Sequence, residues 1–186
     1  MGSRTTYVSL LRGINVGGNN KVSMPELKAC FEKMGFRDVT TYINSGNVIF
    51  RTPETNPRQL EATIEKGLSA TFSLPISVAV RSLAEMDGLM TQLPKSWQNP
   101  AGLKCNVIFL RPAIDSPNIL KQLNPKPGIE EVHYHPGVLF WSAQTSNLTK
   151  SNMLKIVGTP MYKEMTIRIL NSVRKIHEIM KTVDKA

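Results

Sequence analysis

The chain has 186 residues, a hydrophobic content of 41% and a net charge of +9, which excludes a disordered or collagen-like chain and allows one large domain or two small ones. No apolar stretch approaches the roughly 20 residues of a membrane-spanning helix, so we expect no membrane partner. The positive charge either favours acidic partners such as nucleic acid or nucleotides, or merely aids solubility. Cys30 and Cys105 form no Cys-x-x-Cys motif, which fits a reduced cytoplasmic protein.

The first two elements in chain order are a strand and a capped helix. Residues 5–11 are apolar and β-rich, which predicts a strand. Ser23-Met24-Pro25-Glu26 forms a capping box with proline in the first turn, and Gly35 can end the helix that follows. Between them lies Arg12–Lys21, a connection rich in glycine and asparagine.

A hairpin and two more helices complete the first half. Residues 39–43 and 47–51 are β-rich and flank Asn44-Ser45-Gly46, which predicts a three-residue turn. Further elements are a helix starting at Asn56-Pro57, a strand near 75–80, and a third helix capped by Ser82 and Glu85.

The same order of elements returns after residues 94–103, whose prolines and glycine predict a linker. The predicted elements are a strand at 104–110, a helix started by Asp115, Ser116 and Pro117, strands near 130–135 and 138–143, a helix near 149–157, a strand around 165–168 and a terminal helix from about 170. Each half therefore follows the order βαββαβ plus a helix. We predict an α+β fold of two ferredoxin-like halves, with antiparallel sheets and helices on one face, divided into subdomains 1–95 and 96–186.

The connection after the first strand is the strongest candidate site. Gly13, Gly17 and Gly18 permit tight turns that can expose amide groups, and Arg12 and Lys21 place positive charge at both ends. Asn15 adds a polar side chain. The pattern suits a phosphate or carboxylate, but it has neither the P-loop order nor Gly-x-Gly-x-x-Gly. The alternative is a structural connection whose glycines only permit turning.

The turn Asn44-Ser45-Gly46 could present amide and hydroxyl groups to a ligand, or could be a plain hairpin turn. We expect the first and third strands of a ferredoxin-like half to be adjacent and central. We further expect the loop after the first strand and this turn to lie at opposite ends of their strands, which argues against one shared pocket.

Three other clusters carry weaker predictions. His133 and His135 share one side of a strand, but no third Cys, Asp or His stands at a persuasive spacing. Glu130 and Glu131 are nearby alternatives, and we predict no metal site. Arg168, with nearby lysines, could form a basic surface or a solvated helix face. Aromatic residues on the predicted strands lack the RNA-recognition motif, and we expect most of them in the core: Tyr7, Tyr42, Phe50 and Trp141.

Several stretches of this sequence resemble the bacterial domain-of-unknown-function family 1697. The resemblance is carried by residues 10–18, Lys21-Val22, Met24, residues 41–48, Phe140-Trp141 and Thr166-Ile167-Arg168. It implies a two-part α+β protein with ferredoxin-like halves and no established activity. The family usually has asparagine directly after the arginine of its Thr-x-Arg-Asn motif, where this chain has Ile169.

Two functional hypotheses follow. The first is a module that binds a phosphate-bearing small molecule or nucleic acid through the Arg12 loop and scattered lysines. The second is an enzyme for a small anionic substrate, with Arg12 and Lys21 clamping the substrate and Asn15, Asn44 or Ser45 as positioning groups. No cofactor is predicted, and no nucleophile–base pair is visible in the sequence, which favours the first hypothesis.

Overall fold

The computed structural model describes residues 4–17, 20–98 and 100–186. The chain forms two compact units, Met1–Thr91 with Arg174–Ala186, and Gln92–Val173. The first unit contains β1 (Thr5–Leu11), α1 (Met24–Lys33), β2 (Arg37–Tyr42), β3 (Asn47–Thr52), α2 (Pro57–Phe72), β4 (Val78–Ser82) and α3 (Leu83–Thr91). The second contains a 3-10 helix (Lys95–Gln98), β5 (Leu103–Leu110), α4 (Ile119–Leu123), β6 (Glu130–His135), β7 (Val138–Gln144), two more 3-10 helices (Thr145–Lys150 and Asn152–Ile156), α5 (Pro160–Lys163) and β8 (Met165–Ile169). The last helix, α6 (Leu170–Asp184), begins in the second unit and ends in the first.

Each unit is built on one four-stranded sheet. The strand order is β2-β3-β1-β4 in the first sheet and β6-β7-β5-β8 in the second, and neighbouring strands are antiparallel. This order places the first and third strands of each unit in the centre. The predicted α+β fold with two ferredoxin-like halves is confirmed.

The helix starts confirm the capping patterns. The Ser23 hydroxyl accepts a hydrogen bond from the Glu26 amide (3.3 Å) and donates one to the Glu26 carboxylate (2.7 Å). The Asn56 side chain accepts from the amides of Arg58 and Gln59 at the start of α2. Both helices bury an apolar stripe that includes Leu27, Phe31, Leu60, Ile64 and Leu68 against the first sheet.

α2 also supplies hydrogen-bond acceptors to backbone amides of β4, the edge strand of the first sheet. The amide of Val80 donates to Glu61 Oε1 and the amide of Val78 donates to Glu65 Oε1, and both hydrogen bonds are 3.0 Å long. One helical turn separates the two carboxylates, which matches the spacing of alternate residues on a strand. Edge amides of β4 are therefore bonded within the unit, which discourages pairing with another strand.

The second unit is organised around a buried carboxylate. Glu130 Oε2 accepts from Trp141 Nε1 (2.8 Å) and from the Ser151 hydroxyl, and Glu130 Oε1 accepts from the amides of Asn152 (2.9 Å) and Lys126 (3.1 Å). Burial raises the pKa of Glu130, but these hydrogen bonds outweigh it and hold the pKa below its usual value. The carboxylate thereby ties β6, β7 and the third 3-10 helix together.

Two local predictions for the second unit were wrong. The helix near 149–157 is instead two 3-10 helices, because Ser151 bonds to Glu130 and its hydroxyl caps the Met153 amide. The helix after Asp115 begins only at Ile119, since Asp115 accepts hydrogen bonds from Gly137 and Tyr134. The linker 94–103 contains a 3-10 helix whose buried Trp97 packs edge-on against Phe140 at 5.7 Å.

The end of α6 packs within the first unit. His177 Nε2 lies 2.6 Å from Asp87 Oδ1 of α3, and Asp184 accepts a hydrogen bond from the Thr6 hydroxyl of β1 (2.7 Å). The two units thus differ in the last helix from the predicted subdomains 1–95 and 96–186. The division into those two subdomains stays a prediction.

Candidate functional site

The glycine-rich loop and the hairpin turn lie at the same end of the first sheet. Because β1 and β3 are antiparallel, the carboxyl end of β1 lies beside the amino end of β3, and Leu10 is paired with Asn47. The Leu11 amide donates directly to the Gly46 carbonyl over 2.8 Å. The prediction that loop and turn occupy opposite ends was therefore wrong. It overlooked that reversing one strand brings its first residue to the end of its neighbour.

Asn15 joins the loop to the turn. Its Nδ2 donates to the carbonyls of Val22 and Asn44 at distances of 2.9 Å. Its Oδ1 accepts a hydrogen bond of 2.8 Å from the Val22 amide. The residue has a φ of +53°, a left-handed conformation that asparagine tolerates better than most residues. Both amide hydrogens of Asn15 are thus used within the protein, so its role here is to hold the loop against the turn.

Gly46 allows the turn to approach the loop closely. Its φ is +75°, and a Cβ at this position would lie 2.7 Å from Ile14 Cδ1 and 2.8 Å from Leu11 Cβ. The Ile14 side chain is itself buried. Any side chain at residue 46 would therefore meet both a steric clash and an unfavourable backbone conformation.

The loop also closes on itself. Asn20 donates from Nδ2 to the Gly13 carbonyl (2.9 Å), and its own carbonyl accepts from the Asn15 amide (3.1 Å). The amides of Arg12, Asn15 and Val22 all donate to groups of the protein itself. A bound anion would consequently depend on side chains more than on these amides.

An open pocket of about 490 Å³ lies between the loop, the start of α1 and the turn. Its lining residues are Asn15, Lys21, Val22, Ser23, Met24, Pro25 and Asn44. Lys21 is exposed, and its ammonium group makes no ion pair with any described residue. The Asn44 side chain is exposed beside it. The pocket thus combines one cation, amide and hydroxyl groups, and an apolar wall.

The other described residues predicted for this region do not line the pocket. The Arg12 amide donates to the Ser77 carbonyl over 2.9 Å, on the β4 side of β1, and Arg12 does not line the pocket. Gly13 and Gly17 are exposed with φ values of +74° and +60°. The Ser45 hydroxyl accepts from Asn47 Nδ2 over 3.1 Å. Gly18 lies outside the described residues.

Arg168 lies in the second unit, on strand β8. Its side chain is buried, and burial lowers its pKa to about 10. Nη1 donates to the Ile167 carbonyl over 2.9 Å. Arg168 therefore contributes nothing to an exposed basic surface, contrary to one of the two alternatives for this cluster. The neighbouring Ile169 is exposed.

The two histidines contact other side chains of the second unit, and the aromatic residues are buried or half-buried. His133 Nε2 lies 3.8 Å from Glu131 Oε2, and the ring of His135 packs on Phe140 at 5.3 Å. The described part of the chain contains no group of three or more side chains that could hold a metal ion. Tyr7, Phe50 and Trp141 are buried as expected, whereas Tyr42 is half-buried.

The residues that sequence reasoning missed share one property. Glu61, Glu65 and Glu130 are charged side chains whose partners come from distant parts of the chain. Glu61 and Glu65 recur one helical turn apart, on the side of α2 that faces β4, and this spacing was the available signal. None of the described helices is long and apolar enough to cross a membrane.

The fold and site define an α+β protein of two ferredoxin-like units whose first unit carries a loop-and-turn pocket. The sequence model of a family described as proteins of unknown function, DUF1697, matches residues 4–140. The chain belongs to this family. The conserved bacterial protein SP0830 from Streptococcus pneumoniae has a similar solved structure, with a TM-score of 0.84 and 27% identity over 96% of this chain and 99% of that one. No curated protein matches the chain significantly.

Proposed function

We propose that this protein is a binding module for a phosphate-bearing ligand, held in the pocket between the Arg12–Lys21 loop and the Asn44–Gly46 turn. The observation that carries the proposal is the Asn15 side chain, which bonds to both Val22 and Asn44 and so fixes Lys21 and the turn around one opening. A cation beside an amide group suits a phosphate oxygen, because hydrogen bonds from a charged donor to a phosphate are stronger than those between neutral groups.

The composition of the pocket favours binding over catalysis. Its described lining contains no carboxylate and no imidazole, so it offers no general base of the usual kind. The Ser23 hydroxyl, the one hydroxyl in this lining, is already engaged with Glu26 in the capping box. The enzyme hypothesis therefore has no observation that favours it.

The pocket also indicates the shape of the ligand. Val22, Met24 and Pro25 give it an apolar wall beside Lys21, and its volume of about 490 Å³ lies within the usual range for small-molecule sites. A ligand with both a phosphate and an apolar body, such as a nucleotide, fits this surface better than inorganic phosphate alone. A terminal nucleotide of an oligonucleotide would share the same chemistry.

Calorimetric titration of the purified protein tests the proposal. The probes are inorganic phosphate, a nucleoside monophosphate and a short single-stranded oligonucleotide. We expect the mononucleotide to bind more tightly than phosphate, and Lys21→Ala to weaken its binding about tenfold, since one charged hydrogen bond is worth about 1.5–3 kcal/mol. Lys66→Ala is the matched control because Lys66 is an exposed lysine on α2 and its loss changes the net charge equally.

The salt dependence separates the two ligand classes. Oligonucleotide binding that weakens steeply with salt would indicate contacts with several phosphates, whereas a shallow dependence equal to that of the mononucleotide would indicate recognition of one. Absence of binding to all three probes, or equal losses in Lys21→Ala and Lys66→Ala, would contradict the proposal.

A further inference from the structure

A second pocket lies in the second unit, where the start of β6 lies beside the end of β7. Its volume is about 330 Å³, and six of its lining residues bear on its chemistry: Ser96, Leu103, Glu130, Glu131, Ser142 and Gln144. The described lining holds two carboxylates and no cationic side chain. Both oxygens of Glu130 already accept hydrogen bonds. Glu131 is exposed, and His133 Nε2 lies 3.8 Å from its Oε2, which is too long for a hydrogen bond. The pocket therefore favours a cation, whereas the pocket of the first unit contains Lys21.

Ser142 places a hydroxyl without a partner in the wall of this pocket. Only 4% of the residue is exposed, and its hydroxyl makes no hydrogen bond with any other described residue. Ser142 is paired with Glu131 across β6 and β7, so the two side chains leave the same face of the sheet with their Cβ atoms about 5 Å apart. Gln144 follows two residues later on β7 and shares this face. Because an unpaired buried hydroxyl costs free energy, a ligand that donates a hydrogen bond to Ser142 is stabilised here.

The first unit has an arginine at the position of Ser142. The turn glycines Gly46 and Gly137 accept equivalent backbone hydrogen bonds from the end of the first strand of their units. Counted from these glycines, Arg51 and Ser142 occupy the same position in β3 and β7. Arg51 Nη1 lies 3.7 Å from Asp38 Oδ2 of β2, the edge strand of its sheet. The second unit also has an acid on its edge strand β6, but a small side chain stands in place of the guanidinium.

We propose that this pocket binds the guanidinium group of a small molecule between Glu131, Ser142 and Gln144, at the position that Arg51 fills in the first unit. A guanidinium has five N–H donors and no acceptor. The three side chains offer it a carboxylate, a hydroxyl and a carboxamide oxygen, each of which accepts hydrogen bonds, and its planar fork matches the carboxylate. Leu103 gives the attached carbon chain an apolar contact, and the volume suits a small ligand. The site belongs to the second unit and does not depend on the proposed function of the first.

A titration of the full chain, followed by backbone amide NMR, tests this site. The probes are propylguanidinium, propylurea, which has nearly the same shape without the charge, and propylammonium, which has the charge without the planar fork. We expect propylguanidinium to shift the signals of Glu131, Ser142 and Gln144 with one Kd. The other two probes should bind at least about threefold more weakly, because one forms no ion pair and the other cannot contact the carboxylate with two nitrogens. Absence of these shifts, or an equal Kd for propylguanidinium and either other probe, would overturn the proposal.

Variants of the two facing side chains locate the bound group. Glu131→Gln should raise the Kd of propylguanidinium about threefold, while Glu32→Gln, which removes an exposed carboxylate from α1, should leave it unchanged. Ser142→Arg supplies the chain's own guanidinium, as Arg51 does in the first unit, and should abolish binding. Ser142→Ala removes only the hydroxyl and should raise the Kd about threefold, which keeps the test decisive if the arginine variant fails to fold. Equal Kd values for Glu131→Gln and Glu32→Gln, or wild-type affinity in a folded Ser142 variant, would overturn the proposal.

Discussion

Asn15 and Asn44 are 29 residues apart in sequence, and a hydrogen bond of 2.9 Å from the side chain of the first to the carbonyl of the second joins them. The same side chain pairs with both backbone groups of Val22, much as a neighbouring strand would. Three segments of the first unit meet at this one amide group. The pocket wall beside Lys21 therefore depends on a residue that has both amide hydrogens engaged.

Replacing Asn15 should loosen the site before it affects the rest of the unit. We expect Asn15→Ala to lower the free energy of unfolding by about 2–3 kcal/mol, because hydrogen bonds are lost and the left-handed backbone disfavours alanine. Asn15→Gly loses the same bonds without that backbone cost and should be about 1 kcal/mol less destabilising. Urea denaturation measures both. Equal effects of the two substitutions would contradict this account of the loop.

Close packing at Gly46 predicts a second stability effect. We expect Gly46→Ala to destabilise the protein by about 2–4 kcal/mol, since its Cβ would clash with Ile14 and Leu11 in a backbone conformation unfavourable for alanine. Gly88→Ala in α3 is the control because, apart from its chain neighbours and the backbone of its own helix, no atom lies within 4 Å of its added Cβ. That change should be neutral or stabilising by up to about 1 kcal/mol. Thermal denaturation of both variants checks the contrast.

Local sequence signals predicted the start of α1 and the hairpin correctly, because each depends on contacts within a few residues. The link between Asn15 and Asn44 requires the path of a long loop, which no local pattern specifies. Strand direction alone, however, was enough to place the loop and the turn together. The failure near 149–157 has a different cause. Ser151 leaves the helical pattern to bond with Glu130, and that partner is 21 residues away.

The Glu130 cluster predicts how stability depends on pH. The pKa of Glu130 is lowered on folding, so the unfolded chain binds a proton more readily and the stabilisation is present above the unfolded pKa of about 4.3. It is lost as the pH falls through the lower folded value. Glu130→Gln should therefore destabilise the protein by about 2–4 kcal/mol at pH 7, and the difference from wild type should shrink towards pH 3.

Chemical denaturation between pH 3 and pH 7 measures this difference. The neighbouring Glu131, which is exposed, provides the control variant Glu131→Gln, for which we expect less than about 0.5 kcal/mol at any pH. If the difference in the free energy of unfolding between wild type and Glu130→Gln stays constant with pH, the negative charge of Glu130 does not contribute to stability and the account is contradicted.

The hydrogen bonds from β4 amides to the α2 carboxylates predict that removing a carboxylate lowers stability and exposes the sheet edge to pairing. Glu61→Ala leaves the buried amide of Val80 without its acceptor and should cost about 1–3 kcal/mol. Glu61→Gln keeps an acceptor oxygen and should cost less. Because an unbonded edge can pair with another strand, we also expect Glu61→Ala to aggregate at lower protein concentration. Light scattering and urea denaturation check both points, and equal behaviour of the two variants would contradict them.

The central claim is that the Arg12–Lys21 loop and the Asn44–Gly46 turn form one ligand site. The most direct test follows backbone amide NMR signals while a nucleoside monophosphate is added. We predict that signals of Lys21, Val22, Asn44 and Ser45 shift together with a single Kd, and that Lys21→Ala raises this Kd about tenfold in both segments while Lys66→Ala leaves it unchanged. Shifts confined to one segment, different Kd values for the two segments, or a Kd that Lys21→Ala leaves unchanged would contradict the claim.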